Sequence, residues 1–139
     1  MKLRRGARPL AIRVFAAAFL AAAVLRLVRG LSDLPLAELA YAGHAPWLAW
    51  NRDWTIVALS AEFTIALIPL AWIYLFAAPF ARWLVLGLGL VRLAMFDGSA
   101  LTGACLAVVA MASLLTPAAS RWFAGEPDRE EEDGPAVFE

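Results

Sequence analysis

Four long apolar runs, separated by one long connection after Val28 and by two short polar or proline-bearing breaks, make up most of the 139-residue chain. The first extends from Pro9 to about Val28 and is interrupted by Arg13 and Arg26; the others run from about Trp54 to Phe76, Phe80 to Phe96 and Ser99 to Ala119. A helix needs roughly 20 apolar residues to cross the hydrocarbon core of a bilayer. Trp54–Phe76 meets that requirement with Glu62 as its only charged side chain. Backbone polar groups in lipid must be bonded within their own segment, so the pattern predicts an all-α fold, a four-helix transmembrane bundle. The second and third runs form a hairpin about Phe76-Ala77-Ala78-Pro79-Phe80-Ala81-Arg82.

The breaks predict the remaining elements. Ser32-Asp33-Leu34-Pro35 is a helix start, and Leu34, Leu36, Leu39, Ala40 and Tyr41 follow before Gly43, where the helix is expected to stop. This reads as a short extracytoplasmic surface helix. Trp47, Trp50 and Trp54 follow at spacings of three and four, which places them on one helical face entering the second span as interface anchors, with Trp83 and Trp122 forming the opposite belt. Pro69 is expected to kink the second span. Ser99, Gly103 and Ala107 repeat every four residues in the fourth, as Ala18 and Ala22 do in the first; small residues at this period let helices approach closely within the chain or between two copies.

Composition agrees with a membrane protein: 63% of residues are apolar and 17% charged, with a mean hydropathy of +0.71. The formal charge is zero but unevenly placed, since Lys2, Arg4, Arg5 and Arg8 open the chain and seven acidic residues lie between Glu126 and Glu139. Three regions follow: a basic cytoplasmic arm at 1–8, a four-span membrane domain at 9–122, and a disordered acidic cytoplasmic tail at 123–139. The N-terminal basic cluster orients the first span, so both termini are expected in the cytoplasm. Met1–Arg8 followed by Ala21-Ala22-Ala23 also has the outline of a signal peptide, but Arg13 interrupts its apolar segment and Val24-Leu25 continue beyond the cleavage site, which favours an uncleaved helix. Cys105 is the single cysteine, excluding an intramolecular disulfide and a CxxC redox pair. The basic residues are too few and dispersed for a nucleic-acid partner.

The candidate chemistry lies in the intramembrane charges. A carboxylate deep in a bilayer must be partnered or protonated. Glu62 is 17 residues from the turn near residue 79 and Arg92 is 13, an axial offset of about 6 Å that an arginine spans. The expected pair is Glu62 with Arg92, with Arg26 as a second partner, and Thr55, Ser60 and Thr64 as polar neighbours. One role for it is to fix helix register; another is a proton or cation site at Glu62. His44 is the only histidine, and the acidic residues around it do not have metal-ligand spacing, so no metal site is expected. No catalytic triad, phosphate loop or dinucleotide fingerprint is present; Gly87-Leu88-Gly89 lacks the strand and third glycine.

Leu25-Arg26-Leu27 at the end of the first helix, the outer helix closed by Gly43, Glu62 early in the second helix, Arg82 in the tight turn and a glycine-containing third helix resemble the DoxX-like group of small four-helix bacterial membrane proteins. The resemblance covers roughly residues 20–96; Pro69, the tryptophans before the second span and the acidic tail depart from the pattern. It implies a bacterial inner-membrane protein with an accessory or scaffold role beside membrane redox enzymes, sometimes with quinone chemistry, and roles for Glu62 and Arg82. The leading expectation is a non-enzymatic accessory or scaffold subunit with a protein partner. The alternative is a small dimeric transporter or channel that uses Glu62 as a coupling site, and an enzyme acting on lipid or quinone comes third.

Overall fold

The computed structural model describes residues 8–94 and 101–124, apart from the side chains of Arg92 and Ala94. Among these residues the chain is all-helical, with six helices and no strand: α1 (Leu10–Ser32), α2 (Leu34–His44), α3 (Arg52–Phe76), α4 (Pro79–Ala94), α5 (Leu101–Leu114) and α6 (Pro117–Ala124). Two of them, α1 and α3, are long and apolar enough to cross a membrane. At 23 and 25 residues they measure about 35 and 37 Å. The apolar part of α4, Pro79–Val91, is shorter than that. α5 and α6 reach the required length only together, and they are bent by 59° at their junction.

That bend replaces the continuous fourth span expected from the apolar run. Pro117 has no N–H to donate to the carbonyl four residues back, and its ring crowds the preceding turn, so α5 ends. The Thr116 hydroxyl then accepts from Ala119 N–H at 3.2 Å and caps a new helix. Pro69, in contrast, lies inside α3 without ending it.

Helix α2 starts where the capping residues place it: Asp33 Oδ1 accepts from Leu36 N–H at 3.2 Å, and Pro35 sits in the first turn. The helix runs through Gly43 and ends at His44, one residue beyond the expected stop. The tryptophans differ more. Asn51 caps α3 by accepting from Trp54 N–H at 2.9 Å, so the helix begins after Trp47 and Trp50. The segment before it closes in turns, with Leu48 N–H bonded to Ala45 O and Trp50 N–H to Leu48 O. Of the three, Trp54 alone is on the helix, and the common helical face does not form.

Helix α1 packs chiefly on α5 and α3, α2 lies against α3 and α1, and α4 sits between α3 and α5. The packed core is at one end. Ile12 and Phe15 from the start of α1 meet Ile73 near the end of α3, Ala81 and Val85 of α4, Leu114 of α5 and Trp122 of α6. The α3–α4 turn inside this core is tight: Ala77 adopts φ 49°, ψ 41°, and the N–H groups of Ala77 and Ala78 both bond Trp72 O. A left-handed alanine costs about 1–2 kcal/mol, which the surrounding packing offsets. Long apolar side chains such as Leu10, Ile65, Leu88, Leu90 and Leu101 face outward, each more than 60% exposed. An exterior of this kind requires an apolar surrounding.

Candidate functional site

At the end of the helices opposite the core, three elements converge on Glu62. It projects from α3, 10 residues after Arg52, or about 15 Å along the helix. Arg26, six residues before the end of α1, reaches it with a two-pronged contact: Nε donates to Oε2 at 2.5 Å and Nη2 to Oε1 at 3.1 Å. Such parallel charge-assisted bonds are the strongest geometry available to this pair. Tyr41 completes the group from α2, its phenol donating to Glu62 Oε1 at 2.8 Å. The Arg26 and Glu62 side chains remain 45% and 37% exposed, so the pair lies along a seam rather than in a sealed interior.

Tyr41 is itself held in place. Its ring stacks on Trp50 with centroids 4.8 Å apart and planes at 18°, and Trp50 Nε1–H donates to Ala45 O at 2.9 Å. Burial first, and the hydrogen bond to the Glu62 carboxylate second, push the Tyr41 phenol up to about 12. It therefore stays a neutral donor across the physiological range. A second tie at this end joins α1 to α5, where Arg29 Nη2 donates to Thr102 Oγ1 at 2.8 Å. Nearby, Gly30 lets α1 approach α3: a Cβ there would sit 2.5 Å from Leu59 Cδ2.

The other expected site residues fall out as follows. The Arg92 side chain and Ser99 lie outside the described residues, so the Glu62–Arg92 pairing does too. Thr55, Ser60 and Thr64 each donate their hydroxyl proton to the carbonyl four residues back, on Asn51, Ile56 and Ser60; these protons are used within α3 and do not reach Glu62. Gly103 and Ala107 are half-buried on α5, but a Cβ on Gly103 would meet nothing within 4 Å. The close approaches are at Gly30 and at Gly89, where a Cβ would be 2.5 Å from Met111 Sδ. Trp47, Trp54 and Trp83 are exposed, whereas Trp122 is buried in the core with its Nε1–H directed at Ile73 O at 3.4 Å. Trp122 thus packs within the core, unlike the exposed Trp47, Trp54 and Trp83. His44 Nδ1 lies 2.7 Å from Ala40 O, one turn back on its own helix. Among the described residues no group of three or more His, Cys, Asp or Glu is placed to hold a metal ion.

The residue that sequence reasoning missed is Tyr41. In a Leu- and Ala-rich helix it reads as part of the apolar face, and its position next to Glu62 depends on α2 folding against α3. Its spacing to Trp50 carries no helical or strand period that could have shown the stacking. Arg82, the other residue singled out by the family resemblance, is at the core end, where Nη1 donates to Ser120 Oγ at 3.1 Å and the guanidinium carbon lies 5.6 Å from the ring centres of both Trp83 and Phe123. No family model matches the chain, and neither a curated protein nor a solved structure shows significant similarity to it. The resemblance to the DoxX-like group therefore stands on helix order and residue placement alone.

Chemically, the site is a carboxylate whose two oxygens receive donors from two neighbouring helices. A guanidinium balances its charge and a phenol holds one oxygen in place. Such a group fixes the relative positions of α1, α2 and α3.

Proposed function

We propose that the chain is a four-span protein of the bacterial inner membrane, with both termini cytoplasmic, that acts as a non-enzymatic accessory or scaffold subunit. In this reading α4 and the bent α5–α6 pair complete the membrane domain beside α1 and α3, and α2 covers its extracytoplasmic end. The observation that carries the proposal is the engagement of Glu62 by Arg26 and Tyr41, which ties three helices together at one carboxylate. A carboxylate so held supports a fixed platform better than a site that must bind and release a cation at every cycle. The outward-facing apolar residues suit lipid and a membrane partner alike. Quinone chemistry, where the DoxX-like resemblance suggests it, would then belong to a partner redox enzyme.

The experiment is purification in a gentle detergent followed by identification of co-purifying protein. A partner that remains in fixed stoichiometry through gel filtration, and is lost when the acidic segment after Ala124 is removed, supports the scaffold. Proton flux into vesicles containing the purified chain alone, abolished by Glu62→Gln with the fold retained, would replace it with the dimeric transporter.

A further inference from the structure

The core end of the helices carries a charge imbalance. Arg8, Arg13, Arg82 and Arg121 lie there, while every described Asp and Glu (Asp33, Glu38, Asp53 and Glu62) lies toward the other end. Two of these arginines are accounted for: Arg8 covers the Tyr74 ring, 4.8 Å from its centre, and Arg13 is exposed. Arg82 and Arg121 are different. Both are half-buried, and the Nε–H of each is shielded from solvent without an acceptor among the described residues. Arg82 is also fixed in space, held by Ser120 and the rings of Trp83 and Phe123 in the seam between α4 and α6. A guanidinium has five N–H donors in a planar fork that matches phosphate. Here it is pre-positioned, and no described carboxylate neutralises it.

The surface beside it decides what kind of anion fits. Phe80, Trp83, Leu84 and Leu88 are exposed on α4, with Trp83 67% exposed. A ligand matching both features is anionic at one end and apolar along its length. We propose that the α4–α6 seam binds an anionic phospholipid, its phosphate on Arg82 and its acyl chains along the exposed face of α4. An aromatic belt residue next to a basic group between helices is the arrangement that headgroup recognition uses. The acidic residues 126–133 could supply negative charge to the same arginines, but not the apolar part. The proposal rests on membrane residence of the fold and is independent of the scaffold role.

The test is lipid selectivity of the full chain. After reconstitution in vesicles of phosphatidylcholine mixed with phosphatidylglycerol and gentle re-extraction, retained lipid is measured by native mass spectrometry. Phosphatidylglycerol is expected to be enriched about tenfold over its share in the vesicle, corresponding to roughly 1.4 kcal/mol of discrimination. Arg82→Gln should remove the enrichment and Arg13→Gln should leave it. If Arg82→Gln does not fold, Arg82→Lys, which keeps the charge and loses the fork, should reduce enrichment to a few-fold. Four results would overturn the proposal: no enrichment in the native chain, an equal loss in Arg13→Gln, full replacement of the lipid by inorganic phosphate, or enrichment that appears only once the chain is ended after Ala124.

Discussion

At the α3–α4 end, Ile12, Phe15, Ile73, Ala81 and Leu114 are completely covered by one another and by Trp122, and the turn itself is built from buried alanines. At the α2 end the buried described side chains are Thr55 and Leu59, and the helices are joined by Arg26–Glu62, Tyr41–Glu62 and Arg29–Thr102. In lipid, moving a leucine from acyl chains to a protein core gains little, so an apolar end is held by packing density and loses that stability only through cavities. Polar ties between membrane helices contribute about 0.6–2 kcal/mol each and depend on charge state and partner geometry. The first end is thus held mainly by shape, with Arg82–Ser120 and Trp122–Ile73 as its polar contacts, and the other by a few directed bonds. Changes in pH or charge are expected to act on the second.

The largest effect expected is at the packed end. Phe15→Ala and Ile73→Ala each remove a fully buried side chain and should cost about 2–4 kcal/mol, with the cavity dominating because lipid offsets part of the transfer loss. Leu59→Ala, at the tied end, should cost less than half as much. Unfolding of the detergent-solubilised protein in rising denaturant compares them. Equal losses at Leu59 and Ile73 would erase the contrast between the two ends.

The next effect isolates the ion pair. Arg26→Gln and Glu62→Gln should each destabilise by about 1–2 kcal/mol, less than the breaking of a sealed pair because both side chains are more than a third exposed. The double variant should lose less than the sum, with a coupling of about 1 kcal/mol. A coupling near zero would mean that the polar ties do not hold this end, and that the close approach at Gly30 does.

Which parts of this were readable from the chain follows from the range over which each signal acts. Helices α1 and α3 are written in uninterrupted apolar runs, and the start of α2 in Asp33-Leu34-Pro35, since helix formation and capping depend on residues within a turn of one another. The α5–α6 bend was only half visible: Pro117 marks an end, but it takes the Thr116 hydroxyl to begin another helix in a new direction. Glu62 stood out because its charge is out of place in its run, and Arg26 because its charge falls near the same depth. Tyr41 and Trp50 carried no such mark, and their roles arise from how α2 folds back, which no local period encodes. Gly30 lies beyond the apolar run that ends at about Val28, yet it is inside α1, at the point where Leu59 comes closest.

The smallest and most local effect concerns that fold-back. Tyr41→Phe removes the phenol donor while keeping the ring on Trp50, so it should cost about 1 kcal/mol and act on α2 alone. Amide exchange should speed up across Leu34–His44 with little change around Ile73. Alkali offers an independent route to the same bond. The Tyr41 phenol is raised from its usual 10.0 to about 12 in the folded chain, so the folded state holds this proton more tightly than the unfolded one. Its contribution is complete below pH 10 and lost as pH rises through 12, where the phenolate would face the Glu62 carboxylate. The native chain should therefore show α2 loosening across that window as exchange at Leu34–His44 beyond the intrinsic base-catalysed rate, and Tyr41→Phe, already loosened, should not. An identical alkaline response in both chains would place the hold on α2 in the Tyr41–Trp50 stack and remove the phenol from the set of ties that make this end different.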